Sequence, residues 1–248
     1  MSDTARTILL DIETAPNLGW VWGKWEQNVI EFEKNWYVLS FAYKVLGEKD
    51  VHVHALPDYP RYKKDREDDS QLVKSLWHVM DNADVIVAHN GDNFDIKKTN
   101  TRFLTHQLPP PSPYKTVDTL KIARKVFAFD SNKLDELCKY LSIGRKLPHT
   151  GFKLWHDCML GDPEAWETMK EYNAHDIDLL EAVYERMKPW HNLHPNVNVG
   201  VAITDACPKC GSHSIQKRGF SYTMLSAKQR YQCQSCEGWY EGSAHKIR

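Results

Sequence analysis

The stretch TILLDIE, residues 7–13, decides how this chain is read. It is β-rich, apolar through Leu10 and acidic at its end, which predicts a strand closing on carboxylates. Side chains alternate along a strand, so Leu9, Asp11 and Glu13 share one face while Ile8, Leu10 and Ile12 share the other. Two carboxylates on one face repel each other, and burying them unpaired is costly. A divalent cation such as Mg²⁺ prefers oxygen ligands and relieves both costs. A solvent-exposed strand end would also tolerate the pair, so the residues further along have to decide.

Outward from this strand, β and α signals alternate. Residues 38–46 and 51–56 are β-rich runs separated by Gly-Glu-Lys-Asp and predict a hairpin. The charged stretch at 63–69 reads as a solvated loop or helix start. Leu72, Val73, Leu76, Val79 and Met80 have helical spacing, and residues 84–88 read as a buried strand. A helix is expected over 95–106, a breaker at LPPPSP (108–113) and a short strand over 114–118. Helices follow at about 119–127 and 133–141, a loop at 142–151, then helices at 163–171 and 172–188. This order predicts an α/β fold, a mixed sheet flanked by helices.

Two later carboxylates extend the acidic theme. Asp95 closes AHNGDNFD (88–95), just after the buried strand, with Asp92 as a competitor in the same loop. An Asp there also suits an ordinary helix N-terminus. Asp176 is more informative. At 100° per residue it shares one stripe with Tyr172, Leu179, Leu180, Val183 and Met187, whereas Asp178 and Glu181 fall on the far side. An inward-facing Asp requires a cation or strong donors. Tyr172, one turn earlier, can reach the same place.

Together these residues carry a resemblance. Asp11-x-Glu13, Asn90-x-x-x-Phe94-Asp95 and Tyr172-x-x-x-Asp176 resemble the three motifs of the DEDD superfamily, the DnaQ-like 3′–5′ exonucleases with a ribonuclease H-like fold. Tyr172 matches the tyrosine subclass; Glu171 stands where the histidine subclass has its His. The likeness spans roughly residues 5–188 and leans toward the proofreading domain of family B DNA polymerases. It implies two Mg²⁺ or Mn²⁺ ions held by Asp11, Glu13, Asp95 and Asp176, with Tyr172 orienting the attacking water and Asn90 and Phe94 touching the nucleic acid. His175, beside Asp176, points about 100° away on a helix, which argues against a His-Asp phosphohydrolase.

Trp20, Trp22, Trp25, Trp36 and Tyr37 follow the first motif, and Trp22 is the chosen candidate for stacking on a frayed end. Trp155, Trp166 and Trp190 are assigned to packing. Lys133, Arg145, Lys146 and Lys153 read as surface charges within reach of phosphates.

A carboxylate-free, Pro- and Asn-containing segment at 189–200 reads as a linker from a domain at 1–188 to a second at 201–248. There Cys207-x-x-Cys210 and Cys233-x-x-Cys236 form two knuckles, a four-thiolate set that favours one structural Zn²⁺. The lobe resembles a zinc ribbon. Lys217, Arg218, Lys228 and Arg230, interleaved with Phe220, Tyr222 and Tyr231, suit nucleic acid, with protein docking as the alternative. Cys138 and Cys158 are expected to be buried thiols.

The net charge of -1 conceals this division. Residues 201–248 hold 7 Lys+Arg and 3 Asp+Glu, a net of +4, leaving 25 against 30, a net of -5, for the rest. No apolar stretch is long enough to cross a bilayer and no signal peptide stands out, so a cytoplasmic, reducing setting without membrane contact is expected. The expected activity is a two-metal 3′–5′ exonuclease that releases nucleoside 5′-monophosphates, preferring single-stranded DNA. An exoribonuclease and a catalytically silent adaptor are the rival readings, and a replication or repair protein is left open as a partner.

Overall fold

The computed structural model describes residues 5–25, 28–198 and 206–246. Its body is a five-stranded mixed sheet flanked by helices, a ribonuclease H-like arrangement. β1 (Thr7–Thr14) lies at its centre, between β4 (Val38–Val45) and β6 (Val85–Ala88). β5 (His52–Ala55) and β7 (Lys115–Asp118) form the edges. β4 pairs antiparallel with β1 and β5, while β6 runs parallel to β1 and β7.

Both faces of β1 are covered, which explains why its apolar residues point to both sides. Ile8, Leu10 and Ile12 pack with α1 (Ser70–Asp81) and α5 (Phe152–Leu160). Leu9 packs on the other face with α3 (Thr119–Val126), α4 (Leu134–Tyr140) and α6 (Pro163–Met187). α2 (Asp95–Thr105) starts seven residues after β6.

Three elements depart from the sequence reading. The two helices expected at 163–171 and 172–188 are one 25-residue helix, α6. Asp162 caps it and Pro163 opens it, and no Pro or Gly interrupts it afterwards, so its ladder continues through Tyr172. α5 was not anticipated, nor was the hairpin of β2 (Leu18–Trp20) and β3 (Glu31–Lys34). That hairpin is exposed along both strands, so burial-based periodicity gives it no signal.

Residues 188–198 run over the body as a strap. Ala5 N donates to Val197 O at 2.9 Å, and Tyr184 Oη meets His194 Nε2 at 2.7 Å. Beyond it, β8 (Ile215–Tyr222), β9 (Ser226–Cys233) and β10 (Trp239–Lys246) form an antiparallel sheet with β9 central. This lobe is joined to the strap by Asn198 Nδ2 to Cys207 O (2.6 Å) and Lys209 Nζ to Pro189 O (2.6 Å). Residues 199–205, within the segment assigned to the linker and its junction, lie outside the described residues. Among the described residues, no helix is long and apolar enough to cross a membrane.

Candidate active site

The acidic end of β1 meets α6 and the start of α2. Carboxylate oxygens of Asp11, Glu13 and Asp176 all lie within 4.8 Å of one another. Asp95 opens α2, and its Oδ1 accepts the backbone N–H of Ile12 at 3.1 Å, so it is fastened between the two β1 acids. Asp95 and Asp176 are buried. Asp92 is drawn away into an ion pair with Lys121 at 2.6 Å, which separates the two competitors of that loop.

Electrostatically the cluster is unfavourable on its own. Burial, then repulsion from Glu13, Asp95 and Asp176, pushes the Asp11 carboxyl far above the usual range. Burial and Asp176 push Glu13 up to about 8. Burial pushes Asp95 up to about 7 despite its backbone hydrogen bonds. Asp176 is also raised, chiefly by burial, against the pull of Lys146. Among the described residues its Oδ1 is a buried oxygen with no hydrogen-bond partner.

Several side chains at the site were not read from sequence. Lys146, expected as a surface charge, donates from Nζ to Asp176 Oδ2 at 2.5 Å and to Tyr172 Oη at 2.8 Å. Burial opposes its charge, yet Asp176 and Tyr172 more than offset this and its pKa is raised. Trp155 packs against the core as expected, and its indole N–H also donates to Glu13 Oε2 at 3.1 Å. Asn173 Nδ2 donates to Asp11 Oδ2 at 2.6 Å, while its Oδ1 accepts from Ser40 Oγ at 3.0 Å. Asn173 is adjacent to Tyr172 and three residues before Asp176, so its place on α6 was the available signal. Lys146 lies within a loop, where periodicity gives no signal.

Tyr172 is packed by the rings of His149 and Trp155, with centroids at 5.0 and 6.0 Å. Burial, then Asp176, raises its phenol, which keeps it protonated. His175 contacts the Arg145 carbonyl instead of the carboxylates, as its helical angle requires.

Asn90 adopts φ 65°, a left-handed conformation that Asn tolerates, and Asp118 Oδ1 accepts its backbone N–H at 3.0 Å. At Gly91 a Cβ would sit 2.4 Å from that of Ala88, so the turn into α2 needs glycine. Phe94 is partly exposed beside Asp95, with Lys98 near its ring (5.5 Å) and 3.8 Å from the Trp36 ring centre. Trp20, Trp22 and Trp25 stand out on the β2–β3 hairpin, Trp22 at 85% exposure, whereas Tyr37 is core. Arg145 and Lys153 are engaged by Asp135 and Asp157. Lys133 lines a groove of about 690 Å³ with Asn90, Arg124 and Lys146.

The second cluster is separate. The sulfurs of Cys207, Cys210, Cys233 and Cys236 lie within 4.8 Å of one another, the donor set of a tetrahedral thiolate site. Cys138 and Cys158 are buried free thiols. Of the ribbon cations, Arg218, Lys228 and Arg230 share one sheet face and Lys217 takes the other.

The chain is similar to known proteins in sequence and in fold. A family model described as RNase_H superfamily matches residues 34–188. DNA polymerase III PolC-type of Ureaplasma parvum serovar 3 (strain ATCC 700970) is 29% identical over 150 residues, 55% of this chain and 10% of that protein. The family B DNA polymerase of the hyperthermophilic archaeon Pyrobaculum calidifontis superposes with a TM-score of 0.56 at 17% identity, over 75% of this chain and 25% of that one. The chain thus spans a tenth and a quarter of the lengths of these two similar proteins, and the second likeness is one of fold.

Proposed function

The chain belongs to the RNase_H superfamily, and from that premise we propose that it is a divalent-metal-dependent 3′–5′ exonuclease of the tyrosine subclass. Its products are nucleoside 5′-monophosphates and its preferred substrate is single-stranded DNA. The observation that carries this reading is the cluster of Asp11, Glu13 and Asp176 oxygens within 4.8 Å, with one buried Asp176 oxygen unpartnered among the described residues. Acids that repel, resist ionisation and leave an orphaned acceptor fit hard divalent cations. Bound there, Mg²⁺ or Mn²⁺ supplies the positive charge that in-line phosphoryl displacement needs at its attacking and leaving oxygens.

The chain's own residues do the rest. Asp11, Glu13 and Asp176 are direct ligands, and Asp95, tied to Ile12, acts mainly through water. Asn173 and Trp155 hold Asp11 and Glu13 in position by donating to one oxygen of each. The protonated Tyr172 orients the attacking water and is too weak an acid to serve as a general base. Lys146 pairs with Asp176, which sets its ammonium beside the carboxylates, where it would meet a substrate phosphate. Asn90, Phe94 and Trp22 contact the terminal nucleotides. The four cysteines hold one structural Zn²⁺, and the similarity to two DNA polymerases supports a nucleic-acid substrate.

The test offers 5′-labelled single-stranded, blunt and 3′-recessed DNA and matching RNA, with Mg²⁺ or Mn²⁺, then EDTA. Stepwise shortening from the 3′ end, fastest on single-stranded DNA and stopped by EDTA, is the expected result. Shortening that survives both Asp11→Ala and Asp176→Ala would overturn the site. Faster RNA degradation would make the protein an exoribonuclease, and inertness on every substrate would leave a silent adaptor.

A further inference from the structure

The three-stranded sheet sorts its side chains by face. Cross-strand partners lie on the same face, and neighbours along a strand lie on opposite ones. Arg230 pairs with Glu241 and Gln232 with Trp239, so Arg230, Glu241 and Trp239 share a face. Lys228 joins them, with its Nζ 3.0 Å from Glu241. Arg218 joins across a bulge, its guanidinium 6.0 Å from the centre of the Trp239 ring. Lys217 pairs with Tyr231, which stacks at 5.1 Å on Tyr240, on the other side of the sheet.

The cationic face is shaped for a ligand. Asn192 of the strap closes it into a cleft of about 560 Å³ lined also by Lys228, Arg230, Trp239 and Glu241. That volume lies within the range of small-ligand sites. Gly219, at φ +68°, opens the bulge on β8, where a Cβ would come within 3.3 Å of Arg230 Nη2. The Arg230 guanidinium thus lies close against the Gly219 backbone. Three cations against one carboxylate leave this face at a net of +2, beside an indole that is 40% exposed.

Side-chain contacts and chain neighbours step from the body groove toward this cleft. The groove that begins at Lys146 includes Arg124, and Phe127, three residues on, packs edge-on against Trp190 at 5.6 Å. Trp190 is 60% exposed, and Asn192, two residues later, lines the ribbon cleft. From Asp176 to Met187 at the end of α6 the helix rises roughly 16 Å, about the length of five stacked nucleotides.

We propose that the Arg218–Trp239–Arg230 face of the ribbon grips a single-stranded polynucleotide several nucleotides upstream of the 3′ end that the carboxylates hold. A base stacks on Trp239, and Arg218 and Arg230 meet the phosphates on either side of it. The proposal rests on the nucleic-acid reading of the carboxylate site. It assigns Lys217 no part.

The test uses the full, zinc-loaded chain carrying Asp11→Asn, so that nothing is digested. Binding of labelled DNA and RNA strands of about 12 nucleotides, within the span of such sites, is followed by fluorescence anisotropy as salt is raised. Arg218→Gln with Arg230→Gln weakens binding at least about tenfold and flattens the log K against log salt slope by about 1.4, from ~0.7 per phosphate contact. Trp239→Ala weakens it about fivefold to about 100-fold, and Trp239→Phe restores most of the loss. Lys217→Gln leaves it unchanged. Unchanged zinc content and Tm show that each variant is folded. The DNA and RNA arms identify the polymer, and this pattern with either one supports the grip. An equal loss from Lys217→Gln, or no loss from the double variant, overturns it; the second result turns the ribbon toward a protein partner. Hydrolysis provides the separation from the catalytic reading. With an intact Asp11, the ribbon variants slow long strands and spare a dinucleotide. If no substrate is cut at all, the catalytic reading fails while the anisotropy result still decides the grip.

Discussion

The carboxylate cluster and the cysteine cluster are both sets of ligand atoms within 4.8 Å, yet they are built in opposite ways. The acids come from elements up to 165 residues apart, Asp11 to Asp176, and are held by a sheet with a packed core on each face. The cysteines come from two tight knuckles on a small sheet, where the buried apolar residues among those described are Cys207 and Cys233 themselves. The acids sit in a body with ample core and repel one another there. The cysteine lobe has little core of its own among the described residues. A metal at the acids would therefore serve chemistry, and one at the cysteines would serve folding.

The largest effect that would break this contrast is expected at the ribbon. Zinc ligation contributes about 10–16 kcal/mol of apparent folding energy in comparable peptides. Cys233→Ser or chelation should therefore unfold residues 206–246 while the body stays folded, read by limited proteolysis and amide NMR. Persistence of the ribbon's β signals without zinc would end the comparison. Next comes the acid cluster. Asp11→Asn should lower exonuclease rate at least about 10³-fold, since metal charge supplies several kcal/mol to the transition state. The same change should raise Tm in EDTA, because it removes a charge that Glu13, Asp95 and Asp176 repel. A fall in metal-free Tm would show that the cluster is not strained.

The strap between the regions should be the acid-sensitive part. Burial, partly countered by the hydrogen bond to Pro195 O, lowers His194 to about 4. The unfolded chain takes up that proton first, below the usual value of ~6.5. Stability from this group is thus complete above pH ~6.5 and falls by roughly 3 kcal/mol as pH drops toward 4. Urea melts at several pH values should show this slope in wild type and lose most of it in His194→Gln. The smallest effect is positional. Asn173→Ala should cost about 10–100-fold in activity through weaker metal affinity, so added Mn²⁺ should recover part of it, whereas Asp11→Asn should not respond.

The parts of this molecule that were legible from sequence are those with a period. The apolar run of β1 and the inward stripe of α6 fixed the sheet centre and turned Asp176 toward it. Position after a buried strand singles out both Asp92 and Asp95, and only the structure parts them, through the bond of Asp95 to Ile12 and the ion pair of Asp92 with Lys121. Lys146 was misread because loop residues carry no periodicity, and a lysine in a polar stretch looks solvated until a distant acid meets it. Trp155 shows the converse. Its ring packs as expected, against His149 and Tyr172, and only the indole N–H reveals that it serves Glu13. The false break at 171–172 shows the limit of reading a long amphipathic run without a Pro or Gly to end it.

Asp95 ends its reach on a backbone amide, not on a side chain. The proton it accepts is that of Ile12, the residue between Asp11 and Glu13. That single N–H is therefore a native spectroscopic reporter at the centre of the site. Its chemical shift and its exchange with solvent register any change in how strongly Asp95 holds it, whether by protonation, by cation loading or by arrival of a phosphate. An isotope label at one isoleucine would follow the chemistry without altering any group that performs it.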